Sequence, residues 1–352
     1  MNAMEIRQTG PSPLIDRRRL IALSMASLVA PLASGLNNRV AARADTIAVD
    51  YAYYNPSSLV LRRFGWLEEE FGREGTEIEW VLSAGSNKAN EFLRSDAVDF
   101  GSTAGSAALL ARANGSDIKT VYIYSKPEWT ALVVLADSEI TEVSQLEGKK
   151  IAATKGTDPY FFLLQTLREA GLSQSDVEII NLQHADGKTA LERGQVDAWA
   201  GLDPFMAQTE LEQGSKLIYR NIDFNTFGFL NARSEFLENY PEETKRVLAA
   251  YERARQWILD NPEEAAQILA EESSLSIEVA RQELFERTVL THNPVPSEEH
   301  AEVLRGIIPI LEAENQLSPG ADAEEALEEL FAPQYILEVL PVGTPPASTP
   351  AT

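Results

Sequence analysis

The chain is poor in the residue types that carry most metal and nucleophilic chemistry. It has no cysteine and only three histidines among 352 residues. The absence of cysteine excludes disulfides, thiolate metal sites, iron–sulfur clusters and cysteine nucleophiles. The histidines at 184, 292 and 300 do not have the spacing of metal ligands, so we predict no metal site and no cofactor. His184, between a strand-like and a helix-like segment, is expected on the surface.

Positive charge is also scarce. The chain has 30 basic against 54 acidic residues, a formal net charge of −24. Neutralising the phosphates of nucleic acid requires a basic face, so we predict no nucleic-acid partner and no anionic membrane surface. The 44% of hydrophobic and 24% of charged residues are typical of globular proteins, and the length fits two domains.

Long apolar runs are limited to one, Leu20–Leu36, near the N-terminus. Arg17–Arg19 precede this run, and Ala42-Arg43-Ala44 follows it with small residues at the positions that a signal peptidase accepts. We therefore predict that residues 1–44 are an export signal of the twin-arginine type, cleaved after Ala44, with a Sec signal as the alternative.

Strand-like and helix-like segments alternate from residue 46 to 231, which indicates βαβ units and a mostly parallel sheet. From residue 234 the pattern becomes helical. The tail at 336–352, rich in Pro, Thr and Ala from Pro341, is expected to be disordered. Predicted elements include strands Thr46–Tyr51, Glu77–Leu82 and Trp129–Ala136, one helix through Val60, Phe64, Leu67 and Phe71, and helices Glu242–Leu259 and Ser297–Glu314.

Four loops that follow predicted strands share a composition rich in Gly, Ser and Thr. They are Tyr53–Ser58, Ser83–Asn87, Gly101–Ser106 and Thr154–Tyr160. Glycines let backbone amides approach a ligand, and helix N-termini present unpaired N–H groups, so these loops favour a cradle for a small oxyanion. The alternative is that their hydroxyls only cap helices. The aromatic residues Trp129, Trp199, Phe205 and Phe227 could line a pocket or pack in the core.

Enzyme signatures are missing from these loops. Gly101–Gly105 has Thr103 at the position where the nucleophile elbow of a hydrolase, Gly-x-Ser-x-Gly, requires serine. Asp203 and Glu128 would form a carboxylate pair only if the fold brought them together.

Several motifs resemble those of the solute-binding proteins of ABC importers for aliphatic sulfonates and taurine, with their nitrate-type relatives. The resemblance runs from about Ile47 to about residue 335. Its motifs are Asp99–Thr103, Leu146–Ala152, Lys155–Thr157, Asn225–Phe229, Trp257–Ala266 and the most specific one, Val196–Phe205, with the sequence VDAWAGLDPF.

This resemblance implies an α/β fold of two lobes, the type II periplasmic binding protein fold, with each lobe a mostly parallel sheet flanked by helices. Lobe 1 would hold 46–128 and 229–335, and lobe 2 would hold 129–228. The implied function is that of a periplasmic, non-enzymatic monomer that binds a small alkanesulfonate-like anion in the interlobe cleft. Its partner would be an ABC transporter permease.

Carried over position by position, the resemblance implies oxyanion contacts from Ser102, Thr103 and Thr157, with Tyr54 and Trp199 against the organic part. The full set of expected ligand-binding residues is Tyr54, Asn55, Ser57, Ser83, Gly85, Ser102, Thr103, Lys155, Gly156, Thr157, Trp199, Asp203 and Thr226. The chain departs from the family pattern at Ala104-Gly105, where Gly-Asp is common, and at Asp158–Phe161, where a Ser-rich continuation is usual.

Three alternatives remain at this point. The ligand could be taurine, nitrate, an aromatic sulfonate or a pyrimidine-like molecule. A pyrimidine-synthesising enzyme shares the fold, but it depends on a cysteine-rich motif with a nearby histidine, and this chain has no cysteine. The effector domain of a transcription regulator would need a DNA-reading helix-turn-helix in the place of the leader.

Overall fold

The computed structural model describes residues 44–340. The predicted signal up to residue 43 and the tail from Pro341 lie outside the described residues. The strands are β1 Thr46–Tyr51, β2 Glu77–Leu82, β3 Phe100–Ala104, β4 Ile118–Pro127, β5 Leu132–Val134, β6 Lys150–Ala153, β7 Glu178–Asn181, β8 Ala198–Ala200, β9 Lys216–Tyr219, β10 Gly228–Arg233 and β11 Thr288–Val289. The helices are α1 Pro56–Phe64, α2 Trp66–Phe71, α3 Ser86–Arg94, α4 Gly105–Ala113, α5 Asp158–Glu169, α6 His184–Glu192, α7 Phe205–Gln213, α8 Ser234–Asn239, α9 Pro241–Asp260, α10 Pro262–Ser273, α11 Ile277–Arg281, α12 Glu298–Arg305, α13 Ile308–Ala313, α14 Ala323–Glu328 and α15 Gln334–Leu337.

The strands form two separate sheets. The first has the order β11-β4-β10-β3-β1-β2 and the second the order β7-β6-β8-β5-β9. Both are mixed rather than mostly parallel, because β10 enters the first sheet antiparallel to β3 and β4, and β5 enters the second antiparallel to β8 and β9. The parallel pairs are those of β1 with β2 and β3 and of β6 with β7 and β8. The α/β architecture with two helix-flanked sheets is confirmed.

The chain passes between the two sheets twice, and the two passing segments are bonded to each other. Residues 128–131 lead from β4 to β5, and residues 220–227 lead from β9 to β10. Arg220 donates from Nε and Nη2 to the two carboxylate oxygens of Glu128, each at 2.9 Å. The backbone N–H of Thr130 donates to Oδ1 of Asn225 at 3.0 Å. These paired segments are the natural place for one sheet to rotate against the other.

One apolar core lies beneath the first sheet, and another joins the two sheets, because it holds Ile123 and Phe229 of the first sheet as well as residues of the second. Beneath the first sheet, Phe100 and Tyr122 pack with Tyr251 of the long helix α9. Beside the second sheet, Ile151 and Phe161 pack in a cluster that also takes in helices α12–α14. Within residues 44–340, no helix combines the length and apolarity required to cross a membrane.

Three predicted elements differ from the expectation for local reasons. The helix expected over Ser297–Glu314 is divided into α12 and α13, because Pro309 has no N–H with which to continue the first helix. The helix expected through Val60 and Phe71 is broken at Gly65, which adopts φ 63° and ends α1 before α2 begins. The strand expected over Trp129–Ala136 is shortened to Leu132–Val134, because Trp129 and Thr130 belong to a segment that passes between the sheets. Helix α15 lies partly within the expected tail, and its Ile336 is fully buried.

Candidate functional site

Two adjoining cavities lie between the loops of the two sheets. The inner cavity is small, with a volume of about 10 Å³, and is lined by Tyr54, Ser86, Ala104, Trp129, Thr157, Asp158, Pro159 and Leu202. The outer cavity has a volume of about 70 Å³ and is lined by Tyr53, Tyr54, Leu82, Ser83, Ala84, Gln183, Ala185, Leu202, Asp203, Pro204 and Phe205. Tyr54 and Leu202 line both, so the two spaces are neighbours. Four of the expected ligand-binding residues line them: Tyr54, Ser83, Thr157 and Asp203.

Three helices begin at the inner cavity. Ser86 is the first residue of α3, Ala104 precedes the first residue of α4, and Thr157 precedes the first residue of α5. The first turn of a helix leaves backbone N–H groups without partners in the helix, and the aligned peptide dipoles make that end positive. These helix starts therefore present positive dipole ends to an oxyanion in the inner cavity without a cationic side chain.

The hydroxyl of Ser86 adds a side-chain donor. Its Oγ accepts a hydrogen bond from the backbone N–H of Ala104 at 2.9 Å, and its proton has no acceptor among the described residues. The hydroxyl of Thr157 is committed, because it donates to the carbonyl of Thr154 at 2.6 Å. Ser86 is thus the free hydroxyl donor among the described residues of the inner cavity, although it is not one of the expected ligand contacts. Its position directly after Gly85, at a helix start, is the sequence signal that points to this role.

Asp158 is a buried carboxylate at this cavity, and four donors of the chain hold it. Oδ2 accepts from the backbone N–H of Thr226 at 2.7 Å and from the indole Nε1 of Trp129 at 2.9 Å. Oδ1 accepts from the hydroxyls of Thr226, at 2.8 Å, and Ser106. Burial raises the pKa of Asp158, and these hydrogen bonds oppose the increase. The hydroxyl of Thr226, an expected ligand contact, is therefore bonded to Asp158.

Ser102 and Thr103 are likewise bonded within the first sheet. The Ser102 hydroxyl donates to Oδ1 of Asp50 at 2.8 Å and accepts from Nδ2 of Asn55 at 2.7 Å. The Thr103 hydroxyl accepts from Nδ2 of Asn231 at 2.7 Å. Burial raises the pKa of Asp50 to about 6, although the hydrogen bonds from Ser102 oppose the shift. These hydroxyls position the loop that carries Tyr54, whose own hydroxyl donates to the carbonyl of Ser102 at 3.0 Å.

The four aromatic residues divide between cavity and core. Trp129 lines the inner cavity, where it meets Tyr54 edge-on with ring centroids 6.0 Å apart, and Phe205 lines the outer one. Trp199, expected against the organic part of the ligand, is fully buried in a core cluster of the second sheet. Phe227 lies in another core cluster, with its ring 4.5 Å from that of His300.

The loops of the two sheets approach closely at Gly85. A Cβ at this position would lie 2.9 Å from Nε2 of His184, the first residue of α6 beside the second sheet. His184 is 1% exposed, not on the surface as expected, and burial lowers its pKa to about 3. Gly156 adopts φ 77°, and a Cβ there would come within 3.8 Å of Cβ of Asn87.

Among the other expected contacts, Lys155 and Ser57 do not line the two cavities, whereas Asp203 lines the outer one. Lys155 is exposed, with Nζ 5.9 Å from the ring of Tyr160, and Ser57 is buried in α1. Asp203 is paired with Arg287, which donates to its two carboxylate oxygens at 3.1 and 3.2 Å. Burial raises the pKa of Asp203 to about 6, and Arg287 opposes that shift. Glu128 pairs with Arg220 instead, so the two carboxylates do not form a catalytic pair.

The carboxylates of the site have protein partners, and they do not form a metal site. Within residues 44–340, no group of three or more His, Asp or Glu side chains is arranged to hold a metal ion.

Comparisons with known proteins agree with this architecture. Residues 66–265 match the family model described as NMT1/THI5 like. The chain is 31% identical over 224 residues to a protein of Bacillus subtilis strain 168 whose name describes an aliphatic sulfonates-binding protein. This match covers 63% of this chain and 68% of the relative. It is 30% identical over 284 residues to one of the same name from Escherichia coli K12, covering 80% and 88%.

A solved structure gives the same result for the fold. The crystal structure of the periplasmic aliphatic sulphonate binding protein SsuA from Escherichia coli has a TM-score of 0.70 and 26% identity, covering 83% of this chain and 93% of that one. The family match covers more than half of the chain, and the Escherichia coli relative is matched over most of its length. The chain therefore belongs to the NMT1/THI5-like family.

Proposed function

We propose that this protein is the substrate-binding component of an ABC importer and captures a small sulfonate-like anion between its two sheets. The observation that carries the proposal is the convergence of the N-termini of α3, α4 and α5 on the inner cavity. Sulfonate oxygens are hydrogen-bond acceptors, which suits a cavity whose free donors are the Ser86 hydroxyl and the first-turn amides of α3 and α5. The amides of Gly105 and Ser106 at the start of α4 already donate to the carbonyl of Phe227 and the hydroxyl of Thr226. The names of the two relatives at about 30% identity support this ligand class.

The outer cavity suits the organic part of such a ligand. Its walls include the rings of Tyr53 and Phe205 and the side chains of Leu82 and Leu202. Burying a ligand's apolar surface there contributes roughly 25 cal/mol per Å² removed from water. A sulfonate with an alkyl or aryl tail would thus use both cavities, whereas nitrate would use only the inner one.

The mechanism is closure of the two sheets on the ligand. α3 and Tyr54 belong to the first sheet's side of the cleft, and Thr157 belongs to the second sheet's side. A ligand that touches both stabilises the closed arrangement over an open one by its additional contacts there. The bonded segments 128–131 and 220–227 would carry the rotation.

The remaining parts of the proposal concern location and partners. The twin-arginine-like leader supports export to the periplasm with cleavage after Ala44. The partner would be a membrane permease, and the protein would act as a monomer without catalysis. N-terminal sequencing of the protein recovered from a periplasmic fraction would test the export: a first residue other than Asp45 would contradict the cleavage site.

The ligand class can be tested by thermal unfolding. We expect a linear alkanesulfonate to raise the melting temperature, because a ligand bound to the native state alone contributes about 2.7 kcal/mol at a hundredfold excess over Kd. Taurine, nitrate, an aromatic sulfonate and a pyrimidine are the competing ligands. A shift with the pyrimidine alone would contradict the sulfonate class and indicate that the hydroxyls of the loops are caps only.

A further inference from the structure

The two cavities are lined by the carboxylates of Asp158 and Asp203 and by no lysine or arginine. Asp203 has a cationic partner, since Arg287 contacts both of its oxygens. The four donors of Asp158 are two hydroxyls, one backbone amide and one indole, all uncharged.

Asp158 acts on the inner cavity through its charge. Two of its donors, the backbone N–H of Thr226 and the indole N–H of Trp129, can only donate, so Oδ2 carries no proton. The four bonds occupy the in-plane lone pairs of the carboxylate. The side chain is 2% exposed and has no lone pair left to accept a proton from a ligand. A ligand in the inner cavity therefore meets the negative charge of a carboxylate that lines it.

A fixed negative charge of this kind discriminates between ligands by their charge. The free donors of the inner cavity, the Ser86 hydroxyl and the first-turn amides of α3 and α5, attract an anion as dipoles, and the charge of Asp158 weakens that attraction. Doubling the ligand charge from −1 to −2 therefore gains little net attraction, while the free-energy cost of removing the ligand from water rises with the square of its charge. We propose that Asp158 is a specificity-determining residue that admits monoanionic sulfonates and rejects dianions of the same shape, such as sulfate and alkylphosphonates. This inference rests on the proposed function and names the charge of its ligand.

Calorimetric titration with matched ligands tests the inference. The pairs are methanesulfonate with sulfate, and butane-1-sulfonate with butane-1-phosphonate at an alkaline pH where the phosphonate is a dianion. In the wild-type protein we expect the monoanion of each pair to bind at least about tenfold more tightly. Equal affinities within both pairs would overturn the inference, whatever the variants do. If neither sulfonate bound at all, the proposed function itself would be contradicted.

Two variants place the discrimination at Asp158. In Asp158→Asn and Asp158→Ser, we expect the preference for the monoanion to fall by at least about tenfold relative to the wild type. The serine variant is included because the amide of asparagine would put a donor opposite Trp129 and Thr226. Circular dichroism checks that each variant is folded. The control Asp137→Asn removes the same charge from an exposed site and should leave the preference unchanged. A preference that persists in a folded Asp158 variant, or that falls equally in Asp137→Asn, would overturn the assignment.

Discussion

The indole Nε1 of Trp129 donates to Oδ2 of Asp158 at 2.9 Å. Trp129 lies on a segment that passes between the sheets, and Asp158 is the first residue of α5 in the second sheet's side of the cleft. This bond therefore ties the start of α5, which lines the inner cavity, to the segment about which the sheets would rotate. The proposed anion-binding face and the proposed hinge share one hydrogen-bond network.

Removing the indole donor of Trp129 should lower the stability of the protein. Trp129→Phe keeps an aromatic ring but leaves one oxygen of a buried carboxylate with a donor fewer. We expect the free energy of unfolding to fall by about 2–3 kcal/mol, the cost of losing a buried hydrogen bond to a charged group. Chemical denaturation measures it. Trp80→Phe is the matched control, because the indole of Trp80 donates to Glu68 at 2.8 Å on the surface. A loss in Trp129→Phe no larger than in the control would contradict this role.

The pKa of Asp50 predicts a pH dependence of stability. Burial raises its pKa from 3.8 to about 6, so between these values the unfolded chain releases a proton that the folded chain keeps. The contribution of protonated Asp50 to the free energy of unfolding is complete below about pH 4 and is lost as the pH rises to about 6. The loss is on the order of 3 kcal/mol, at 1.36 kcal/mol for each pH unit of the shift.

The comparison of wild type with Asp50→Asn isolates this contribution, because asparagine does not titrate. We expect the stability of the wild type relative to the variant to decrease from pH 4 to 6 and to be constant from pH 7 to 8. Denaturation at a series of pH values provides the measurement. A difference that increased over the acidic range would show that the pKa of Asp50 is lowered, not raised.

Gly85 is predicted to be required for closure. A Cβ at this position would lie 2.9 Å from Nε2 of His184 in α6, closer than side chains pack. We expect Gly85→Ala to weaken sulfonate binding about tenfold, because overpacking destabilises the closed arrangement by about 1–3 kcal/mol. Calorimetry measures the affinity. Gly72→Ala, where a Cβ meets nothing within 4 Å, should bind as the wild type does. An unchanged affinity in Gly85→Ala would show that the loops do not approach in the bound state.

The outer cavity predicts a dependence on the ligand's tail. Phe205 lines this cavity, and Phe205→Ala should weaken binding of hexane-1-sulfonate about tenfold by removing apolar contact area. Binding of methanesulfonate, which has no tail, should change much less. Phe285 is 43% exposed and outside the two cavities, so Phe285→Ala serves as the control. Equal losses for the long and the short sulfonate would contradict the assignment of the cavity to the tail.

Local sequence patterns were sufficient to predict the elements that depend on local interactions. β1 and β2 have the predicted bounds because alternating apolar residues specify a strand directly. The loops at Tyr54 and Thr157 were identified because each combines small or polar residues with a helix start. The Thr154–Tyr160 loop also drew attention to Asp158, as a departure from the family pattern.

The donors of the cavity could not be assigned from the sequence, because their partners are distant in the chain. The Ser102 hydroxyl bonds to Asp50, 52 residues away, and Thr226 bonds to Asp158, 68 residues away. Only tertiary structure shows that these two hydroxyls are already used. Trp199 has the same difficulty: its strand β8 has three residues, all buried, so the pattern does not show which face is the core.

The most direct test of the central claim is a calorimetric titration of the wild type and Ser86→Ala with butane-1-sulfonate. We predict one ligand per chain and an affinity about tenfold lower in Ser86→Ala, since a hydrogen bond to a charged group contributes about 1.5–3 kcal/mol. Ser175→Ala, at an exposed hydroxyl, should bind as the wild type does. Binding that is unaffected by Ser86→Ala would contradict a site at the start of α3, and the absence of binding to the wild type would contradict the sulfonate itself.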